Sequence, residues 1–246
     1  MKKLLLFCVV AVALAAAAPA RAASGLGLRG ESGLARTPMA VALPPLSLAV
    51  AADFVASDDV FLTLRAEFGV IEGLELGGNY WYIDSTAISA AWGFNAKYVL
   101  PEFVENLGLA LGGHYREQDL AVGNNNGHDL YFVASYRAGF LVPSLGIRYE
   151  SITGANDESD ARFFGSLVAN VLPTFAIGAE IESPSNKLDG TGADPSMWFG
   201  ARFLPLEGLT VQAGLLNRSD TGAAHPLGTN AFVLHFGVQY AFSFMR

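Results

Sequence analysis

Cysteine is almost absent from this chain of 246 residues, where the only one is Cys8. It lies inside an apolar run with Phe7 before it, whereas a lipid-attachment cysteine follows small residues at a processing site. A disulfide framework needs pairs of cysteines, so disulfides are excluded as a source of stability.

Charge is also scarce, and basic charge is the scarcer kind. Charged residues make up 15% of the chain, with 15 Lys and Arg against 23 Asp and Glu. Residues 1–22 begin with two lysines, continue as an apolar run and end on Ala20-Arg21-Ala22, which predicts a cleaved secretory signal peptide. An uncleaved anchor is the alternative, although the run is short for a membrane span. Cleavage leaves 12 basic residues against 23 acidic ones, which excludes a nucleic-acid-binding surface.

Long hydrophobic runs are missing after residue 22, although 52% of the residues are hydrophobic and the mean hydropathy is +0.35. This excludes membrane-spanning helices, which need about 20 apolar residues in a row. The apolar residues instead recur at every second position, which predicts strands. The last strand shows it best, with an outward face of Phe232, Leu234, Phe236, Val238, Tyr240, Phe242 and Phe244. Strands in lipid must pair all their backbone groups, so the pattern predicts a closed barrel.

The fold class predicted is all-β, a transmembrane antiparallel up-and-down β-barrel of about 12 strands in residues 46–246. Residues 23–45 are predicted to form a periplasmic or plug-like N-terminal segment. The predicted strands cover 46–56, 58–69, 74–83, 87–99, 107–118, 128–138, 144–152, 161–170, 174–182, 195–203, 209–218 and 231–244. In 161–170 the phase stays open, because Phe163 and Phe164 compete for the outer face. A soluble β-sandwich or lipocalin-like barrel is the rival, and the low charge argues against it.

The connections alternate in character along the chain. One set is short, apolar and mostly proline-containing, as in FLVPSLG and FLPLEGLT. The other set is longer and polar, namely REQDLAVGNNNGHD, SITGANDESDA, ESPSNKLDGTGADPS and NRSDTGAAHPLGTN. Bacterial barrels have short periplasmic turns and longer extracellular loops, which predicts the sidedness of this one.

Opposite charges share the predicted inner face of the barrel. This lumen-lining network comprises Arg65, Glu67, Glu75, Lys97, His114, Arg116, Asp129, Arg137, Arg148, Glu150, Arg162, Glu180, Glu182, Arg202 and His235. Two interpretations stay open. Ion pairs could fill a narrow barrel and hold it shut, because buried charge needs partners. Alternatively, opposed charged ladders could line a pore that selects small polar solutes.

Catalytic, metal and cofactor sites are not predicted. His114 and His235 lie on strands without a GxSxG or similar signature, which a Ser–His hydrolase would need. The Asp- and Asn-rich loops lack the ligand spacing of calcium loops. The sequence therefore predicts a protein that is not an enzyme.

The segment His235-Phe236-Gly237-Val238-Gln239-Tyr240-Ala241-Phe242 resembles the C-terminal β-signal of outer-membrane proteins. That resemblance implies an assembly signal, carried by Gly237, Tyr240 and Phe242, and the barrel-assembly machinery as a partner. Four further residues follow Phe242, whereas such signals usually end on the last aromatic residue.

A second segment, GESGLARTPMA at residues 30–40 followed by PPLSL at 44–48, resembles the opening of YjbH-like outer-membrane proteins. That family is linked to exopolysaccharide production and export, and its members are much longer. The expected function is thus a narrow outer-membrane channel or envelope component of a Gram-negative-type bacterium, for small polar solutes or saccharides. The alternatives are a closed structural or interaction barrel and, less favoured, a lipid-modifying enzyme. Expected partners are outer-membrane lipid, the assembly machinery and such solutes, with no nucleic acid.

Overall fold

The computed structural model describes residues 25–26, 32–34, 37–56, 60–83, 88–120, 123–154, 157–184, 195–217 and 232–244. The predicted signal peptide at 1–22 lies outside these residues, as do the polar segments at 185–194 and 218–231. Among the described residues no helix has the length and apolar character to cross a membrane.

Twelve long strands follow a short pair in the described residues. The pair is β1 (Gly25–Leu26) and β2 (Ser32–Gly33). The long strands are β3 (Ser47–Ala56), β4 (Val60–Ile71), β5 (Leu74–Ile83), β6 (Ile88–Val99), β7 (Leu107–Leu120), β8 (Gly123–Tyr136), β9 (Leu141–Thr153), β10 (Glu158–Leu172), β11 (Phe175–Glu182), β12 (Ser196–Leu206), β13 (Leu209–Asn217) and β14 (Phe232–Ser243).

Each long strand pairs antiparallel with the next one in sequence, and β14 pairs with β3. At this seam Val238 faces Ala52 and Ser243 faces Ser47. The sheet is therefore a closed barrel without an exposed edge, which satisfies the backbone of every strand. The predicted twelve-stranded antiparallel barrel is confirmed. Because β14 ends beside the start of β3, both ends of the barrel chain reach the same rim.

Side chains alternate between an apolar outer face and a polar inner face. On β6, Trp92 and Phe94 are exposed, whereas Asn95 and Lys97 are buried. This agrees with the phase predicted for that strand, and β8 also follows its predicted phase. An exposed belt of aromatic and aliphatic side chains is the surface that a transmembrane barrel presents to lipid.

The ambiguous strand β10 places Phe164 inside, at 4% exposed, and Phe163 outside, at 66%. The register explains the choice, because Phe164 lies opposite Gly146 on β9. A Cβ at Gly146 would overlap the Phe164 ring, so the glycine makes the space that this ring occupies.

Short turns join the strands at the rim that holds the chain ends. Glu72-Gly73 and Glu207-Gly208 are two-residue turns, and both glycines have a φ of 79°, which favours glycine. At the opposite rim two of the predicted loops are instead largely strand. Residues 116–120 and 123–127 continue the β7–β8 ladder, and β9 and β10 extend to Thr153 and from Glu158. Beyond the apolar belt the side chains of a hairpin need not be apolar. Polar residues can therefore continue it there, as long as the backbone hydrogen bonds between the two strands are kept.

Candidate functional site

The inner face of the barrel carries three groups of charged side chains together with the uncharged residues that bond to them. The seam cluster contains Asp53, Arg65, Trp198, Gln212 and His235. The wall cluster contains His114, Arg116, Asp129, Arg148, Glu150, Arg162 and Glu182. The third group, Glu75, Lys97, Ser135 and Glu180, surrounds residues 37–43, which we call the inner segment.

Asp53 is the centre of the seam cluster and is almost completely buried. Its carboxylate forms an ion pair with Arg65 and accepts a hydrogen bond from Nε2 of Gln212 at 3.0 Å. Its Oδ1 lies 2.9 Å from Nε2 of His235. Gly237 faces Asp53 across the seam and also faces Gln212 on β13. A Cβ at Gly237 would overlap Asp53, so this glycine gives the carboxylate its space.

Both ring nitrogens of His235 are engaged. The indole N–H of Trp198 donates to Nδ1 at 3.1 Å, and Nε2 faces Asp53. An accepting Nδ1 and a donating Nε2 describe the neutral tautomer that carries its proton on Nε2. The ring has no nitrogen left to act as a general base toward a solute, so its role here is to hold the seam cluster together.

The wall cluster pairs its charges diagonally across β7 to β11. The register places Arg148 opposite Arg162 and Asp129 opposite Glu150, which are repulsive arrangements. Each arginine instead forms an ion pair with an acid that is not directly opposite to it in the register. The distances are 2.6 Å for Arg148–Glu182, 3.2 Å for Arg162–Glu150, 2.6 Å for Arg116–Glu150 and 3.8 Å for Arg148–Asp129.

The inner segment lies within the barrel and bonds to side chains of β5, β6, β8 and β11. Thr37 donates its backbone N–H and its hydroxyl to Oε2 of Glu180, at 3.1 and 2.9 Å. Ala40 donates its N–H to Oγ of Ser135 at 2.9 Å. Because these strands lie on different sides of the closed sheet, the segment occupies the lumen between them.

The short-turn end of the inner segment meets an ion pair. Lys97 Nζ lies 2.9 Å from Oε2 of Glu75 and donates to the carbonyl oxygen of Val41 at 2.6 Å. The N–H of Leu43 donates to the other carboxylate oxygen of Glu75. Farther inside, Leu34 and Met39 pack in an apolar cluster with Trp198. The charged groups and the inner segment thus lie together inside the barrel.

Most of the predicted lumen residues are buried on the inner face. These are Arg65, Glu67, Glu75, Lys97, His114, Asp129, Arg148, Glu150, Arg162, Glu180, Glu182 and His235. Arg116 and Arg202 are half-buried, and Arg202 donates to the carbonyl oxygen of Gly33 at 2.9 Å. Arg137 is a correction: it follows the last residue of β8 at the short-turn rim and is exposed, so it does not line the lumen.

Asp53 is the residue that the sequence interpretation missed. It is the only charged residue of β3, a strand whose other inward positions are Ser47, Ala49, Ala51 and Val55. A single carboxylate at an inward position of an otherwise apolar strand is the signal that could have identified it, because such a group requires a cation nearby.

The predicted assembly-signal residues lie on β14. Gly237 and Tyr240 are buried and Phe242 is half-buried, with the rings of Tyr240 and Phe242 4.5 Å apart between centroids. Their role in assembly stays a prediction. Among the described residues, no group of three or more His, Cys, Asp and Glu side chains is arranged to hold a metal ion.

No protein-family model matches the chain, and a search of curated proteins gives no match. Solved structures do match it. The KdgM porin, in a structure described as a complex with disordered oligogalacturonate, has 16% identity and a TM-score of 0.59, covering 79% of this chain and 99% of its own. The NanC porin has 14% identity and a TM-score of 0.55, covering 80% and 99%. The chain has the fold of these porins.

At these identities the similarity establishes the fold and no more. Outer membrane phospholipase A from Escherichia coli also matches, with 10% identity and a TM-score of 0.49 over 83% of this chain and 100% of its own. The resemblance of residues 30–48 to YjbH-like proteins stays a prediction.

Proposed function

We propose that this protein is an integral outer-membrane barrel of a Gram-negative-type bacterium and forms a narrow channel for small polar solutes or saccharides. The observation that carries the proposal is the charged lining inside a barrel whose outer face is apolar. An apolar filling would close the barrel without the desolvation of so many charges. A lining of carboxylates and guanidinium groups instead offers the kind of hydrogen-bonding groups that bind a hydroxyl-rich solute.

Two similarities support the saccharide class. One porin of the same fold was captured with oligogalacturonate, an acidic saccharide. Residues 30–48 resemble YjbH-like proteins, a family linked to exopolysaccharide production and export. A role in that process is the more specific form of the proposal. Assembly through the barrel-assembly machinery, with Gly237, Tyr240 and Phe242 as its signal, belongs to the same proposal.

A closed interaction barrel is the second candidate, and a specific observation favours it. The side chains of Arg148 and Glu182 are 0% and 1% exposed, and the inner segment bonds to Ser135 and Glu180 inside the barrel. Such a barrel would present its polar hairpins to other molecules and pass no solute. A catalytic role has less support, because both nitrogens of His235 are already engaged.

Planar-bilayer recording distinguishes the two candidates. The purified protein, shown to be folded by a mobility difference between unheated and boiled samples on a detergent gel, is expected to give small, discrete conductance steps. Uptake of mono- and disaccharides by liposomes that contain the protein measures the solute class. A folded protein that gives neither steps nor uptake would remove the channel and leave the closed barrel.

A further inference from the structure

The inner segment is held mainly through its main chain. Ala40, Val41 and Leu43 have hydrocarbon side chains, so their hydrogen bonds to Ser135, Lys97 and Glu75 can come only from backbone groups. Thr37 adds its backbone N–H to that set. Contacts to backbone groups do not depend on the side chains of the bound segment, so they recognise a peptide largely independently of its sequence.

The chemistry of the lumen wall matches both polarities of a peptide backbone. Two carboxylates, Glu75 and Glu180, and the hydroxyl of Ser135 accept N–H groups from residues 37, 40 and 43. Lys97 donates to carbonyl oxygens, at 2.6 Å for Val41 and 3.4 Å for Met39. The wall thus presents an acceptor to every third N–H of the segment and a lysine to the carbonyl oxygens in between. This arrangement fits a peptide backbone, which alternates N–H and C=O, whereas a saccharide offers mainly hydroxyl groups.

We propose that Glu75, Lys97, Ser135 and Glu180 form a binding site for the main chain of a peptide of about seven residues, which the protein's own residues 37–43 occupy as a tethered competitor. The ligand class is a short peptide of little sequence preference. The site goes beyond the proposed channel and does not require the lumen to conduct. A peptide added from outside therefore competes with the inner segment, and weakening the segment exposes the site.

The test uses the full-length protein with a weakened inner segment. The double variant Ala40→Pro and Leu43→Pro removes two of the main-chain donors that hold the segment. Ala42→Pro is the matched control, because the described residues offer no acceptor to the Ala42 N–H. The probe is a fluorescent heptapeptide, Thr-Pro-Met-Ala-Val-Ala-Leu, the sequence of residues 37–43, and its binding is measured by anisotropy in detergent.

Three results are expected. The double variant binds the heptapeptide at least about tenfold more tightly than the wild type or the Ala42→Pro control, since two charge-assisted or buried hydrogen bonds no longer compete. A scrambled heptapeptide binds as well as the original. A heptapeptide that is N-methylated at the fourth and seventh positions binds about tenfold more weakly or not at all. Equal binding of the methylated peptide, no peptide binding to the folded double variant, or binding of oligogalacturonate in place of peptide would overturn the proposal.

A disulfide lock provides the test if the double variant does not fold. A Cβ built at Gly108 lies 3.2 Å from the Cβ of Ala40 and 2.7 Å from its carbonyl oxygen, so a small outward shift of the Ala40 backbone relieves that contact and brings the two Cβ atoms to the roughly 3.5–4.5 Å found in disulfides. Ala40→Cys with Gly108→Cys should therefore tie the segment to β7, in a chain whose other cysteine lies in the predicted signal peptide. Oxidation is expected to abolish binding of excess heptapeptide and reduction to restore it, whereas equal binding in both states contradicts the site. Conductance is recorded in a separate experiment. A failure of the peptide-binding test therefore leaves the channel proposal standing, and a failure to conduct leaves the peptide site standing.

Discussion

Arg148 on β9 bonds to Glu182 on β11 across the intervening strand, with 2.6 Å between Nη1 and Oε1. The guanidinium carbon also lies 5.4 Å from the centroid of the Phe164 ring on β10, the strand between them. Phe164 has room to lie inward because Gly146 is opposite to it. One glycine on β9 thus makes room for the ring against which the cation of this ion pair lies.

Removing one member of this pair should destabilise the barrel strongly. We expect Glu182→Gln to lower the free energy of unfolding by about 3–5 kcal/mol, because Arg148 would keep a buried charge without its main partner. Urea titration of the protein in detergent micelles measures the change. Arg137→Gln, at an exposed rim position, should change stability by about 0.5 kcal/mol or less. Equal effects of the two substitutions would mean that the lumen is wet enough to solvate Arg148.

A charge on the outer face should be costly in the middle of a strand and tolerated at the rim. Phe94→Arg, at an exposed position inside β6, is expected to reduce stability by about 2–4 kcal/mol in lipid vesicles. Phe103→Arg, in the short turn after β6, makes the same change near the interface and should have an effect of about 0–1 kcal/mol. The reverse order would place the apolar belt at another height on the barrel.

Gly237 should be needed for packing independently of any assembly signal. A Cβ there overlaps the Asp53 carboxylate, so Gly237→Ala is expected to cost about 1–3 kcal/mol even when the purified chain is refolded without cellular machinery. Gly78→Ala on the outer face is the control, since its nearest atom would lie 3.3 Å away. Normal refolding of the Gly237 variant in vitro, combined with failed assembly in cells, would assign this glycine to recognition alone.

Ion selectivity tests which charges line the conducting path. Arg116 is half-buried on the inner face and bonds to Glu150, whereas Arg137 is exposed at the rim. Arg116→Glu is expected to shift the reversal potential in a salt gradient toward cation selectivity, because it adds a second acid beside Glu150. Arg137→Glu should shift it much less. A larger effect of the rim substitution would show that the path is not controlled by the wall cluster.

Much of the fold could be predicted from the sequence because the two-residue alternation of apolar and polar side chains is a direct consequence of strand geometry. In β6 the exposed Phe94 and the buried Asn95 are adjacent in sequence. A strand points adjacent side chains to opposite faces of the sheet, which explains why one is exposed and the other buried. The phase of β10 could not be predicted, because the choice between Phe163 and Phe164 depends on Gly146, a residue of another strand. Residues 119–120 and 123–127, which extend the β7–β8 hairpin, were not predicted as strand, since their polar side chains resemble those of a loop when the ladder is not known.

The site was predicted less completely because its contacts are long-range. The inward charges follow from the alternation, but their pairing does not. Thr37 and Glu180 are 143 residues apart in sequence, and Gln212 and Asp53 are 159 apart. No local sequence pattern predicts which of these distant residues will meet. Their pairing depends on the register of all the strands in the closed sheet.

The seam between β14 and β3 has a consequence for biogenesis. His235 and Asp53, which meet there, are 182 residues apart, so the first barrel strand has no second neighbour until the last one has been synthesised. Closure is therefore a post-translational event, and such distant pairing is intrinsically slow. Until the barrel closes, the twelve strands keep unpaired edges and exposed apolar faces. A chaperone or a membrane surface is then needed to keep them from pairing with another chain. Loss of either end strand should accordingly abolish the barrel rather than yield a smaller one.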